Sequence, residues 1–279
     1  MFSILNIIKT NQIFIKIILI DQYMLRVLKK RNNKVAEGKI KDIKSNDPVW
    51  VDCYKPNQAE LNEVSKNTKI SLHDIKEYLD RNERPKVIEL EDFSVIVFGV
   101  PITKKNKIKI TPISIFVSGT KDIITLRSEP IKAVDNVKRL IEEERLAFDD
   151  TIKIALRLLD EVMIEFFSNF EQIEDTVDKL EKKIVNRVEK NLAEQIFDVR
   201  KSLIYFHKSL IANREVITSI EKEYLSKITR RQSKAFREIY HDIIQLIDMV
   251  DTYREILTGM LDIHLTAVSN NLNTVMKRL

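Results

Sequence analysis

Between Ile131 and Leu279 there is no proline, and Gly259 is the only glycine. All six prolines, Pro48 to Pro130, lie earlier, as do the other glycines, Gly38, Gly99 and Gly119. Proline removes a backbone donor and glycine costs backbone entropy, so both mark loops and turns. A segment this long without them predicts long helices, and the architecture changes near Pro130. The run DDTIKIALRLLDEVMIEFFSNFEQIEDTVDKLEKKIV is amphipathic for roughly ten turns, with Asp149 or Asp150 as N-cap. A second helical run covers about Asn191 to Leu225, and a third starts near Thr229 and continues to the end. In the third, Ile239, Ile243, Leu246, Val250, Tyr253, Leu257, Met260 and His264 alternate steps of four and three, which is a heptad seam. The apolar stripe then moves by one position, through Leu261, Leu265, Val268, Leu272, Val275 and Leu279. Some fifty residues of helix span roughly 75 Å, which predicts a stalk packed against copies of itself.

The first half has the opposite texture. MLRVLKK and KVAEGKI read as strands paired around Asn32 and Asn33, and PVWVDCY as another. Asn57 and Ser71 stand as N-caps before NQAELNEVSK and SLHDIKEYLDRN. DFSVIVFGVPI, PISIFVS and DIITLRS are β-rich, with Gly119 in a turn and IKIT extending the hairpin. The expected fold class is α+β. An α/β/α-type domain with a mixed sheet spans 24–130. A long helical hairpin follows over 131–228, then a coiled-coil stalk helix over 229–279. The stretch ILNIIKTNQIFIKIILI is interrupted by Lys9, Asn11, Gln12 and Lys16 and has no small-residue cleavage site. We read 1–23 as an extension and Met24 as the native start, the alternative being an extra N-terminal helix or strand.

Composition narrows the chemistry. Net charge is +5 from 47 basic and 42 acidic residues mixed throughout, so no basic patch points to nucleic acid. Cys53 is the only cysteine, which excludes a disulfide framework and a cysteine-based metal site. There is no glycine-rich phosphate loop, no HExxH and no nucleophile motif, and His73, His207, His241 and His264 are scattered. Enzymatic activity is therefore not expected. Phe166, Phe167 and Phe170 at helical spacing read as core packing.

Two stretches carry more information. NERPKVIE covers Asn82 to Glu89, and FREIYHDIIQLIDMVDTYREILTGMLDIHLTAVSNNLNTVMKRL ends the chain. Together, and in the same order, they resemble the RPKV segment and stalk helix of the CorA-type magnesium and cobalt ion transporters, from about Met24 to Leu279. The resemblance implies a homopentamer whose N-terminal domain lies on the cytoplasmic side of the cell membrane. The stalk helix of each copy continues into a first membrane span, which a Gly-Met-Asn motif follows. Neither span nor motif is present here, so the chain is expected to be the portion preceding the bilayer, touching the membrane only through spans it lacks.

The resemblance also implies residue roles. Asp74 falls at an acidic position of an intersubunit regulatory Mg²⁺ site, and Glu238 at the partner carboxylate on the neighbouring stalk. The family's usual partner is Asp, so Glu238 is one methylene longer. Two carboxylates brought together repel, and a divalent cation removes that cost; Mg²⁺ takes oxygen ligands and keeps several waters, so few carboxylates suffice. Co²⁺ is a second candidate at the same sites. Asp160 matches a position of a further, less regular site, in which His73 replaces an acid. Asp262, Asn273, Met276 and Leu279 match positions facing the pore axis or its gate. The bland readings are that Asp74 belongs to a helix cap with Ser71 and that Glu238 pairs with Lys234. The function expected is a metal-sensing and gating domain of a divalent-cation channel. The alternative from another class is a coiled-coil structural or adaptor protein with no metal role.

Overall fold

The computed structural model of the protein describes residues 25–31, 34–44, 47–104, 107–118, 121–186, 191–224 and 228–278. The expectations for 1–23 and Met24, for the turns at Asn32–Asn33 and Gly119, and for Leu279 lie outside the described residues.

Seven strands form one mixed sheet: β1 (Leu25–Arg31), β2 (Lys34–Glu37), β3 (Val49–Tyr54), β4 (Lys86–Glu89), β5 (Phe93–Lys104), β6 (Lys107–Ser118) and β7 (Asp122–Arg127). Their spatial order is β2-β1-β3-β7-β6-β5-β4. Only the central β3–β7 pair is parallel, with Val51 opposite Ile124. The expected mixed sheet is present, and it carries helices on both faces. Side chains alternate across β5, as the period of two requires. Val95 and Val97 enter one core with Ile75, Tyr78 and Phe116, while Ile96, Phe98 and Val100 enter the other with the long helices.

The first core is closed by α1 (Gln58–Thr68) and α2 (Leu72–Tyr78). Asn57 caps α1 with a reciprocal capping box through Glu60, and Lys69 ends it in the left-handed region at φ 61°. The Ser114 hydroxyl of β6 donates to the Tyr78 carbonyl at 2.7 Å, which ties the end of α2 to the sheet. On the other face lie α3 (Lys132–Glu142), α4 (Thr151–Asn186), α5 (Leu192–Ser219) and α6 (Arg230–Arg278), with a π-helical stretch at Ile220–Tyr224 extending α5. Phe166 and Phe170 of α4 are buried and meet Phe206 and Tyr253 edge-on at 5.1 and 5.3 Å, so the aromatic run is core. The sequence reading did not distinguish α3, a short helix that lies on the sheet.

One expectation changes. The seam from Ile239 to His264 is buried by α4 and α5 of the same chain, apart from the half-buried Tyr253. Heptad spacing shows that a helix face is covered and does not say by which helix. The shifted stripe is open only in part: Leu261 and Val268 are half-buried, while Leu265, Leu272 and Val275 are 57, 61 and 56% exposed. From 269 to 278 every residue of α6 is exposed. A Cβ built on Gly259 meets nothing within 4 Å. Gly259→Ala is therefore expected to stabilise the dilute chain by roughly 0.5–1 kcal/mol, since alanine favours a helix interior over glycine by that amount. Urea unfolding at low concentration measures this, and a loss of stability would mean that the space is occupied by another copy.

Candidate functional site

Asp74 occupies the first turn of α2. The Ser71 N-cap hydroxyl accepts from the Asp74 N–H at 3.0 Å and donates to Asp74 Oδ2 at 2.7 Å. The expected cap is thus real, and it uses one carboxylate oxygen. Asp74 is half-buried and lines a cleft of about 310 Å³ together with Ser71, Glu91 and Asp92. His73 points elsewhere, exposed and 4.0 Å from Glu77.

Glu238 lies near the start of α6, where burial of Phe236 and Ile239 turns its side chain outward. It is 68% exposed, and Lys234 Nζ stands 4.0 Å away, a contact at the limit of an ion pair. Exposed pairs of this kind contribute at most about 1 kcal/mol. Glu238 is available to another partner at little cost.

Asp160 sits on α4, half-buried, with its neighbour Glu161; Arg157 donates to both carboxylates. Burial raises the Asp160 carboxyl above its ordinary range, Arg157 opposes this, and the charges of Glu161 and Glu238 add to the rise. Asp242 of α6 is raised by burial and by the charges of Asp160 and Glu238. Asp160, Glu238 and Asp242 thus share one negative field between α4 and α6. Asp242 is not among the residues expected from the sequence. Its signal was its spacing, four residues after Glu238 and therefore on the same helix face.

Asp74 is not part of that field. The helix bearing it packs on one face of the sheet, and the helices bearing Asp160 and Glu238 pack on the other. Among the described residues no group of three or more His, Cys, Asp or Glu is arranged to hold a metal ion within this single chain. Asp262, Asn273 and Met276 are exposed on the projecting end of α6, Met276 by 73%, and they meet no other site residue. Among the described residues no helix is long and apolar enough to cross a membrane.

The family model for the CorA-like Mg²⁺ transporter protein matches residues 45–279. The chain belongs to the CorA family. This CorA chain is 35% identical over 252 residues to the cobalt/magnesium transport protein CorA of Methanocaldococcus jannaschii, covering 88% of this chain and 79% of that protein. Its fold matches the complete structure of the CorA magnesium transporter from the same organism with a TM-score of 0.83 at 31% identity, over 91% of this chain and 80% of that one. The soluble domain of that CorA is matched with a TM-score of 0.78 at 33% identity, over 87% and 96% of the two chains. The mixed sheet, the long helices and the C-terminal helix of this CorA chain are those of the CorA soluble domain. The family is one of transporters, which agrees with the lack of any catalytic motif.

Proposed function

We propose that this chain is the metal-sensing and gating part of a divalent-cation transport protein, carrying Mg²⁺ and Co²⁺, that works as a homopentamer on the cytoplasmic side of the membrane. Mg²⁺ held between Asp74 of one copy and Glu238 of the next stabilises the closed arrangement. The observation that carries this reading is the placement of the two carboxylates. They lie on helices at opposite faces of the sheet, so a bridge between them takes a second copy. The donor set fits a hard cation: one Asp74 oxygen is taken by Ser71, and Glu238 is open to solvent. Asp160 contributes to a second, less regular site, in which His73 stands where the family has an acid. The raised Asp160 carboxyl is what a cation would relieve. When Mg²⁺ falls, unscreened repulsion between carboxylates loosens the ring, and the shift is limited to the difference in affinity between the two states.

In the same proposal Asp262, Asn273 and Met276, with Leu279, face the ion path, and the open stripe of Leu265, Leu272 and Val275 joins the copies. Family membership favours this over the coiled-coil adaptor.

The test is thermal unfolding and light scattering of the chain in EDTA and in millimolar Mg²⁺ at constant ionic strength. A ligand at a hundredfold its Kd stabilises by about 2.7 kcal/mol, so melting is expected to rise by several degrees, with larger assemblies favoured. In the Asp74→Ala/Glu238→Ala double variant both responses should fall to the small part that the Asp160 site supplies. If they are unchanged there, the assignment of the site is wrong.

A further inference from the structure

A second cleft, of about 750 Å³, opens where β4 begins, between the Arg81–Pro85 loop, the β5–β6 hairpin and α5. It belongs to none of the features assigned above, and its volume is that of a small-molecule site. Its origin is a gap in the sheet. β4 stops pairing at Lys86 opposite Val97, which leaves the edge of β5 open from there on. Gly99, opposite Pro112 on β6, would expose an unpaired N–H and C=O on that edge. Both are taken by the side chain of buried Asn213: Gly99 N–H donates to its Oδ1 at 2.8 Å, and its Nδ2 donates to the Gly99 carbonyl at 3.0 Å. The edge is therefore sealed against another strand, and the space beside it remains.

The walls have a consistent chemistry. Ile110 and Pro112 supply apolar surface, and the Tyr205 ring stands at the mouth, 45% exposed. The two acids of the lining are already paired, Glu83 with Lys86 at 2.7 Å and Glu215 with Arg214 at 3.0 Å. Of the cations, Arg81 is 3.5 Å from Glu129, but among the described residues Arg84, Lys109 and Lys208 have no ion-pair partner. Three exposed, unpaired cations around an apolar floor, with a free aromatic face, suit an anion that has a flat apolar body. Arginine and lysine complement phosphate oxygens, and aromatic faces stack on nucleobases.

We propose that this cleft binds a nucleotide, its phosphates on Arg84, Lys109 and Lys208 and its base against Tyr205. The site is separate from the carboxylates of the proposed cation bridge. It is tested without divalent metal, so that its failure and the failure of that reading are distinguishable.

The experiment is isothermal titration calorimetry of the full chain in EDTA with ATP, tripolyphosphate and adenosine. ATP is expected to bind, and more weakly as salt rises. The Arg84→Ala/Lys109→Ala/Lys208→Ala variant should bind ATP at least tenfold more weakly. Tyr205→Ala should weaken ATP several-fold and leave tripolyphosphate unchanged. All four side chains are exposed, so these variants retain the fold. Absence of ATP binding, or equal affinity in the triple variant, overturns the proposal. Tripolyphosphate binding as tightly as ATP, with Tyr205→Ala silent, reduces the cleft to a general polyanion surface and overturns the nucleotide assignment.

Discussion

Asp52→Ala is expected to destabilise the fold by about 3–5 kcal/mol, the cost of leaving buried charges without their partner. Asp52 sits on β3, 2% exposed, and accepts from both ends of a cationic pair. Arg127 Nη2 is 2.8 Å from its Oδ2 and Arg127 Nε 3.2 Å from its Oδ1; Lys138 of α3 also donates to Oδ2. Thr125 donates to Oδ1 at 2.7 Å and accepts from the Trp50 indole at 3.1 Å. Removing the carboxylate leaves Arg127 and Lys138, 6 and 4% exposed, facing one another in the interior. Asp135, at 3.2 Å, pairs with Arg127 and acts on Lys138 only through its charge, from an exposed position. The network joins β3, β7 and α3, so its loss also removes the polar tie of α3 to the sheet, leaving the helix held by its buried apolar face of Val134, Val137 and Ile141. A fall in melting temperature on the order of 10 °C is expected. A change below about 1 kcal/mol would mean that water reaches the cations. Replacing all three charged residues with apolar ones of similar volume should cost much less than the single change.

The same residue gives a pH dependence with a definite sign. Burial alone would raise the Asp52 carboxyl, but the charges and hydrogen bonds of Lys138 and Arg127 outweigh it and hold the value at about 2, against 3.8 for the free side chain. Its value is lowered on folding, so its contribution is present above the unfolded value and is lost as pH falls through the folded one. Stability should therefore drop between about pH 4 and pH 2 by about 2 kcal/mol from this group. Acid unfolding of Asp52→Ala should lack that component.

Asn213→Ala is expected to cost roughly 2–4 kcal/mol, because it leaves one buried N–H and one C=O of Gly99 unpaired at ~1–3 kcal/mol each. The neighbouring cleft admits water, which holds the cost towards the lower part of that range. Asn213→Asp retains the acceptor but turns a carboxylate oxygen towards the Gly99 carbonyl, so it should be no milder. Denaturant unfolding at pH 7 measures both. Gly99 is constrained from the other side as well: a Cβ there would lie 2.3 Å from Ser209 Oγ. Gly99→Ala should destabilise, and Gly99→Ala combined with Ser209→Gly should recover part of the loss. If the two changes are simply additive, the close approach of α5 to β5 is not what selects glycine.

The elements were legible in the chain because their signals are local. Asn57 with Glu60, and Ser71 with Asp74, form caps from residues three positions apart. Alternation in DFSVIVFGVPI and heptads in the last run belong to single elements. Asp74, Glu238 and Asp160 came from resemblance to a family, since an isolated carboxylate carries no mark of its use. What no local pattern could reveal was which surfaces meet. Asp52 is 75 and 86 positions from Arg127 and Lys138, the three lie on three elements, and each alone reads as an ordinary charged residue. Asn213 resembles any polar helix residue until β4 is seen to stop short of Gly99. The unpaired state of Arg84, Lys109 and Lys208 depends on Glu83 and Glu215 having partners elsewhere.

The last helix divides the two kinds of information. Sequence alone determined that residues from about 229 onward form one long helix with two offset apolar stripes, because spacing along a chain and helix geometry share one period. Only the tertiary structure decided that the first stripe, to His264, is covered by α4 and α5 of the same chain and that Leu265, Leu272 and Val275 of the second stand open. Burial depends on what lies across the interface, and that is a property of packing between distant segments, which the periodicity of one segment does not contain.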